Sequence, residues 1–413
     1  MSIAAALREI GRPLDNSTSL GRAVDELLAA RTEPPVLLAL GEPTHGIEAF
    51  PLLRNELLRH LVDRGYRSIV LEIDIFAAAV VDDYVAGAPG RIDTVLATGF
   101  SHDFGAVPGN RELVEWLRAH NAGRPPQDRI RFYGFDAPLE YAAAPSPRHA
   151  LTTVRDYLPA ALRPPSTRAL EALLGEDAQW ANPAAMYDPA ASIGASDHAH
   201  ALRIVADDLA SALHRAAPIL RPADPTGYDH AHAHARTALG LLRYHAAMAT
   251  PTPDRIADLA SLRSEMMAEN LLAIVAAERH RGPSLVFAHN THLQRAKSAQ
   301  PLDATTVNWC GAGALAALPL AERYLFLATD ASPASTPGTL QHALAQATTR
   351  RTLFPAAALR EALPPSITAG KPIVPGHIPL EPTDLPTADA VVFIADTDGE
   401  QHRYWEESPA AAY

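Results

Sequence analysis

Glu42 and His45 stand three residues apart in the run Leu40-Gly41-Glu42-Pro43-Thr44-His45-Gly46. A carboxylate beside an imidazole is a minimal apparatus for general acid–base chemistry. The carboxylate orients the ring, whose pKa near neutrality lets it take a proton from water or a substrate hydroxyl. Similar groups recur along the chain. Glu72 and Asp74 lie in Val70-Leu71-Glu72-Ile73-Asp74, Asp136 ends Gly134-Phe135-Asp136, and two imidazoles lie in Ala288-His289-Asn290-Thr291-His292. A second histidine, with Arg54, could stabilise an oxyanion or protonate a leaving group. Ester or lactone hydrolysis needs those parts. So does an intramolecular proton transfer, an elimination or a cyclisation.

Each candidate also has a structural reading. Glu72 sits in an apolar run and is costly to bury unpaired, so it could serve a buried ion pair with Arg54 or a histidine. His45 could be a helix-start residue. Arg54 could orient a carboxylate bidentately or bind an oxyanion, or be an Arg–Glu strut. Asp136 suits a turn after its strand, and Asp74 and Asp82-Asp83 read as surface or capping groups. His102, in the loop Ser101-His102-Asp103, could reach the cleft. His102, Asp136 and Asp74 are carried forward as substrate-binding candidates. His45, Glu42, Glu72, His289, Arg54 and His292 are carried forward as catalytic ones.

Other chemistries lack their motifs. The chain has no His-Glu-x-x-His, no Gly-x-Ser-x-Gly, no P-loop and no Gly-x-Gly-x-x-Gly. The run Asp229-His230-Ala231-His232-Ala233-His234 resembles a ligand set, but on a helix only His230 and His234 share a face. Those histidines read as solvent-facing, and no metal or other cofactor is expected. Cys310, the single cysteine, reads as a buried thiol with nothing nearby to lower its pKa.

The elements that must position these groups are visible as apolar runs. Residues 36–40, 68–73, 130–135, 284–288 and 324–328 are short, continuous and bounded by turn residues, as buried parallel strands are. A sixth run covers 390–395. Ile47, Phe50, Leu53, Leu57 and Leu61 space one apolar face of a helix that ends at Gly65. Residues 111–121 read as a second connecting helix. The alternation predicts an α/β protein, a mostly parallel central sheet flanked by helices. Open sheets of that kind keep their chemistry at the carboxyl ends of the strands. Residues 145–278 are Ala-rich, lack β-branched runs and are broken by proline clusters. They read as a helical insertion or lid between core segments 1–144 and 279–413. The Pro-rich stretch 363–386 cannot be a central strand.

The 413 residues carry a net charge of −12, with no basic stripe, which argues against nucleic acid and anionic membrane as partners. No apolar run approaches a membrane span. The N-terminus lacks the pattern of a secretory signal, and a lone cysteine suits a reducing compartment. A cytoplasmic protein acting on a small molecule is expected, of unspecified oligomeric state.

Several of these motifs, in one order, carry a resemblance. The run 41–46, Arg54, residues 65–72, Arg111 to Asn121, Gly134-Phe135-Asp136, Arg263 with Met266 to Asn270, and Ala288 to His292 together resemble the erythromycin esterase family. The resemblance implies an α/β hydrolase that opens macrolide lactones without a required metal, with His45 as the base that activates water. It also implies active-site positions at Glu42, Arg54, Glu72, His289 and His292. The expected activity is thus metal-independent hydrolysis of an ester or macrolactone. A biosynthetic enzyme running a non-hydrolytic step on the same groups is the alternative, and a non-catalytic small-molecule binder the remaining one.

Overall fold

The computed structural model describes residues 2–45, 47–140, 144–302, 305–332, 335–374 and 376–395. Gly46 of the opening motif and residues 396–413 of the last expected segment lie outside them. The chain forms two compact units, one of residues 1–135 with 271–413 and one of residues 136–270. The expected insertion borders, 144/145 and 278/279, therefore shift by eight or nine residues. The helix Arg255–Glu278 runs unbroken past the second border, so no turn residue marks it in the sequence.

The larger unit is built on β1 (Arg12–Pro13), β2 (Leu37–Glu42), β3 (Ser68–Asp74), β4 (Arg131–Asp136), β5 (Ser284–His289), β6 (Lys297–Leu302), β7 (Thr305–Cys310), β8 (Tyr324–Ala331), β9 (Arg351–Pro355) and β10 (Ala390–Ile394). Eight of them form one sheet in the order β1-β9-β10-β8-β2-β5-β3-β4. The pairs from β10 through β8, β2 and β5 to β3 are parallel, while β9 and β1 add an antiparallel edge. Every residue of β2, β5, β8 and β10 is buried. That is why these strands read as unbroken apolar runs: both faces are covered. The helix Ala49–Val62 buries Phe50, Leu53, Leu57 and Leu61 in the same core as Leu38, Leu40, Leu71 and Phe287. Just beyond it Gly65 takes φ +89°, a turn that costs glycine least. The second connecting helix, Pro108–Asn121, starts earlier than its apolar pattern, with proline in its first turn.

Strand order is what gathers the chemistry. β5 lies between β2 and β3 although it follows them by some two hundred residues of chain. Its register pairs Glu42 with His289 and Leu71 with Phe287. The carboxyl ends of β2, β5 and β3 therefore bring Glu42, His289 and Glu72 side by side, at the kind of switch point where open α/β sheets bind ligands. Gly41 makes the junction possible. A Cβ there would lie 2.0 Å from the Asn290 side-chain oxygen. Asn290 Nδ2 donates to the Thr329 carbonyl at 2.8 Å and the Thr329 hydroxyl donates to the Gly41 carbonyl at 2.8 Å, so β5, β8 and β2 are tied where they end.

Among the described residues β6 and β7 pair with each other alone, in a mostly exposed antiparallel hairpin. Cys310, at the end of β7, is exposed, which corrects the buried-thiol expectation. A polar hairpin has no core to put its last residue in.

The smaller unit is helical, led by Asp197–Ala223 and Pro225–Met248. His234 is buried, with its Nε2 3.1 Å from that of His230, so the solvent-facing expectation fails for it. It shares a helical face with Ala231, Ala235 and Ala238, whose small side chains leave room for a ring in the core. Among the described residues no three His, Cys, Asp or Glu side chains are grouped as a metal ion would need, and no helix is long and apolar enough to cross a membrane.

Candidate active site

The loop after β2 folds back so that His45 Nδ1 donates to Glu42 Oε1 at 2.7 Å. That fixes the tautomer and leaves Nε2 as the basic nitrogen, 3.9 Å from Glu72 Oε1. The sequence left open which carboxylate orients His45; the hydrogen bond is made by Glu42. Glu72 is 5 % exposed. Its Oε1 lies 3.1 Å from His292 Nε2 and its Oε2 accepts the His289 backbone N–H at 2.8 Å. A buried carboxylate is tolerable there because its acceptors are occupied. Structure thus resolves Glu72 into a histidine-facing group; Arg54 is not its partner.

Electrostatics separate the two central imidazoles. Burial acts to lower the pKa of His45, but Glu72 and the hydrogen-bonded Glu42 outweigh it, and the net shift is upward. Burial raises Glu42 against the pull of His45. For His289, burial and the neighbouring His45 push the ring down to about 3. It is neutral, and both ring nitrogens are committed. Nε2 donates to the Pro43 carbonyl at 2.9 Å, and Nδ1 accepts from the Thr291 backbone at 3.2 Å and faces its hydroxyl at 2.8 Å. The expectation that His289 handles an oxyanion or leaving group meets a ring with no proton to spare. It stands edge-on to His45 with ring centres 5.5 Å apart.

Arg54 is 1 % exposed and spends its donors on the Asn55 and Asn110 side chains and the Gly109 carbonyl, at 2.7 to 3.0 Å. Its guanidinium lies over the Phe287 ring at 4.9 Å. It is neither the expected bidentate clamp nor an Arg–Glu strut. Its charge still acts on Glu42, drawing that carboxyl down. Burial lowers Arg54 itself to about 10, so it remains a cation. Glu42, His45, Arg54 and Glu72 share with Phe104 and Asn110 the wall of a cavity of about 30 Å³. That is room for one or two water molecules.

His102 is buried, and it and Asp103 both adopt positive φ, +56° and +58°. Two consecutive left-handed non-glycine residues are strained. The turn sets the His102 ring against Phe104 at 5.6 Å, and Phe104 against His45 at 4.8 Å.

Two of the substrate-binding candidates, Asp74 and Asp136, have structural partners. Asp74 Oδ1 caps the backbone amides of Phe76 and Ala77 at 2.6 and 3.3 Å, work that short acidic side chains do at turns. Asp136, fully buried, accepts Arg263 through both oxygens at 3.0 and 2.5 Å and its own neighbour Ala137 N–H at 2.8 Å. Its partner lies 127 residues further on within the same unit, out of reach of any local pattern. The sequence reading missed Phe104, Asn110 and the Pro43 carbonyl. Backbone acceptors carry no residue signal, and Phe104 sits in a loop without periodicity.

A parallel sheet that ends in a carboxylate–imidazole–carboxylate set defines an α/β protein equipped for proton transfer. The family model for erythromycin esterase matches residues 61–371. The chain belongs to the erythromycin esterase family. The matched span carries Glu72, His102, Asp136, His289 and His292; Glu42, His45 and Arg54 precede it. Membership supports an esterase-type hydrolase acting on small, macrolide-like molecules. Three solved structures share the fold. A Bacillus cereus protein superposes with a TM-score of 0.70 at 18% identity, over 95% of this chain and 96% of that one. A mutant of erythromycin esterase EreC in its open conformation gives 0.65 at 18%, over 92% and 94%. A succinoglycan biosynthesis protein gives 0.62 at 14%, over 95% and 96%. No curated protein matches the sequence significantly.

Proposed function

We propose that the protein hydrolyses an ester or macrolactone by general-base activation of water at His45, without a metal ion. The observation that carries this reading is the Glu42–His45 hydrogen bond at Nδ1, with Nε2 on the Glu72 side of the ring, 3.9 Å from its carboxylate. A water within reach of both atoms would be polarised by the carboxylate and deprotonated by the imidazole. Its oxygen adds to the acyl carbon, and the proton passes to His45. The carbon–alkoxy bond then breaks, and His45 returns its proton to the departing oxygen. An acid and an alcohol, or one ring-opened hydroxy acid, result. The apolar wall formed by Phe104 and Phe287 supports the reading, because a low dielectric strengthens each charge in the reacting set.

The test is incubation with a panel of macrolides in oxygen-18 water, with and without EDTA, read by mass spectrometry. One labelled oxygen per opened ring, unaffected by EDTA, is the expected result. Product without the label overturns hydrolysis in favour of elimination or cyclisation. Loss of turnover with EDTA overturns metal independence.

A further inference from the structure

Asp330, next to last in β8, is fully buried, and carboxylates are not buried without a return. Four donors converge on it. Oδ1 accepts the Ala331 amide at 2.7 Å and His377 Nε2 at 3.0 Å; Oδ2 accepts Gln341 Nε2 at 2.8 Å and the Leu380 amide at 2.9 Å. His377 is itself buried, and its Nδ1 accepts the Ile373 amide at 3.1 Å, so the ring offers its one proton to Asp330. Gln341 also donates to the Leu380 carbonyl at 2.9 Å. These bonds fix residues 376–380, part of the Pro-rich stretch.

Between the two anchored residues, His377 and Leu380, the Ile378 amide donates to the Pro43 carbonyl at 2.9 Å. That carbonyl is the one His289 Nε2 also reaches at 2.9 Å. Pro43 links Glu42 to the loop that carries His45. The carbonyl is thus gripped from two directions, by β5 through His289 and by the Pro-rich stretch through Ile378.

We infer that Asp330 and His377 are positioning residues of the active site: they lock the 376–380 segment onto the Pro43 carbonyl and so hold His45 within hydrogen-bond distance of Glu42. Its catalytic consequence rests on the function proposed above; its geometric content does not. The arrangement also gives the Pro-rich stretch a task for which its composition suits it. Prolines around the anchor points restrict the free chain, so less entropy is lost when the segment is fixed.

The test compares His377→Ala, His377→Gln and Ile378→Pro, each checked for folding by circular dichroism. Two readouts are taken: the titration of the His45 imidazole by NMR, and kcat and KM with erythromycin as probe. Loosening the loop weakens the Glu42–His45 contact, so His377→Ala shifts the His45 titration back towards an ordinary histidine. It lowers kcat tenfold or more with KM within twofold. His377→Gln, whose amide can still donate to Asp330, recovers most of both. Ile378→Pro removes the donor to the Pro43 carbonyl while leaving the His377 side chain in place, reproduces the loss, and decides the matter if His377→Ala does not fold. A wild-type His45 titration in folded His377→Ala and Ile378→Pro overturns the inference. If wild type leaves erythromycin unchanged, that counts against the proposed function, and the titration still judges the clamp.

Discussion

Burial and the neighbouring Glu72, Glu42 and His102 side chains decide when the His45 ring can act as a base. Glu72 and Glu42 favour the imidazolium, His102 opposes it, and burial opposes it too; the carboxylates win. A base accepts a proton only when deprotonated, so activity falls as pH drops through this raised pKa. The acidic limb of kcat/KM therefore lies on the alkaline side of an ordinary histidine. Glu72→Gln removes the largest raising influence and moves that limb to lower pH. A limb that stays in place in both Glu72→Gln and Glu42→Gln would assign it to another group. His289 contributes no limb near neutrality, because it is uncharged there. His45→Ala, with its fold intact, lowers kcat by about 10²–10⁴-fold, the usual reach of a general base. Arg54→Lys acts differently. The Asn55, Asn110 and Gly109 oxygens lose a fork of donors, and denaturant unfolding should register a loss of about 1–3 kcal/mol.

At the level of elements, the site is held where strands end. Gly41→Ala forces a methyl against Asn290 and disturbs the link to Thr329. The expected cost is about 1–3 kcal/mol, typical of overpacking, measurable as a lowered denaturation midpoint. In the helical unit Arg263→Ala leaves the buried Asp136 carboxylate without its cation and costs about 3–5 kcal/mol, read the same way. How far the sequence discloses these elements depends on burial. β2, β5, β8 and β10 are covered on both faces and so are legible as apolar runs. β9 is buried too but does not read as an apolar run, since it opens with Arg351 and Thr352, the arginine's charge being met by Glu56 at 2.9 and 3.0 Å. β6 and β7 are polar because their hairpin is exposed. The groups Glu42, His45, Glu72, His289 and His292 are legible as residue types. Their adjacency is not, because it depends on β5 inserting between β2 and β3. The capping bonds of Asp74 agree with one of its sequence readings, whereas the Arg263 partner of Asp136, 127 residues away, was out of reach of the sequence.

For the molecule as a whole, metal independence is a prediction about recovery as well as loss. Protein dialysed against chelator should keep full turnover, and a divalent cation added back should not raise it. The position of β5 has another consequence, for how the chain is made. The His289–Glu72 contact joins residues 217 apart. At about 5–20 residues per second a ribosome needs roughly 10–40 s to supply the second partner after the first. Throughout that interval β2 and β3 exist without the strand that separates them, and each carries unpaired edges of almost purely apolar sequence, the kind of surface on which chains stick to one another. Synthesis, rather than the finished enzyme, is thus the stage at which this fold is most exposed to aggregation, and no shorter nascent chain can acquire the active site early.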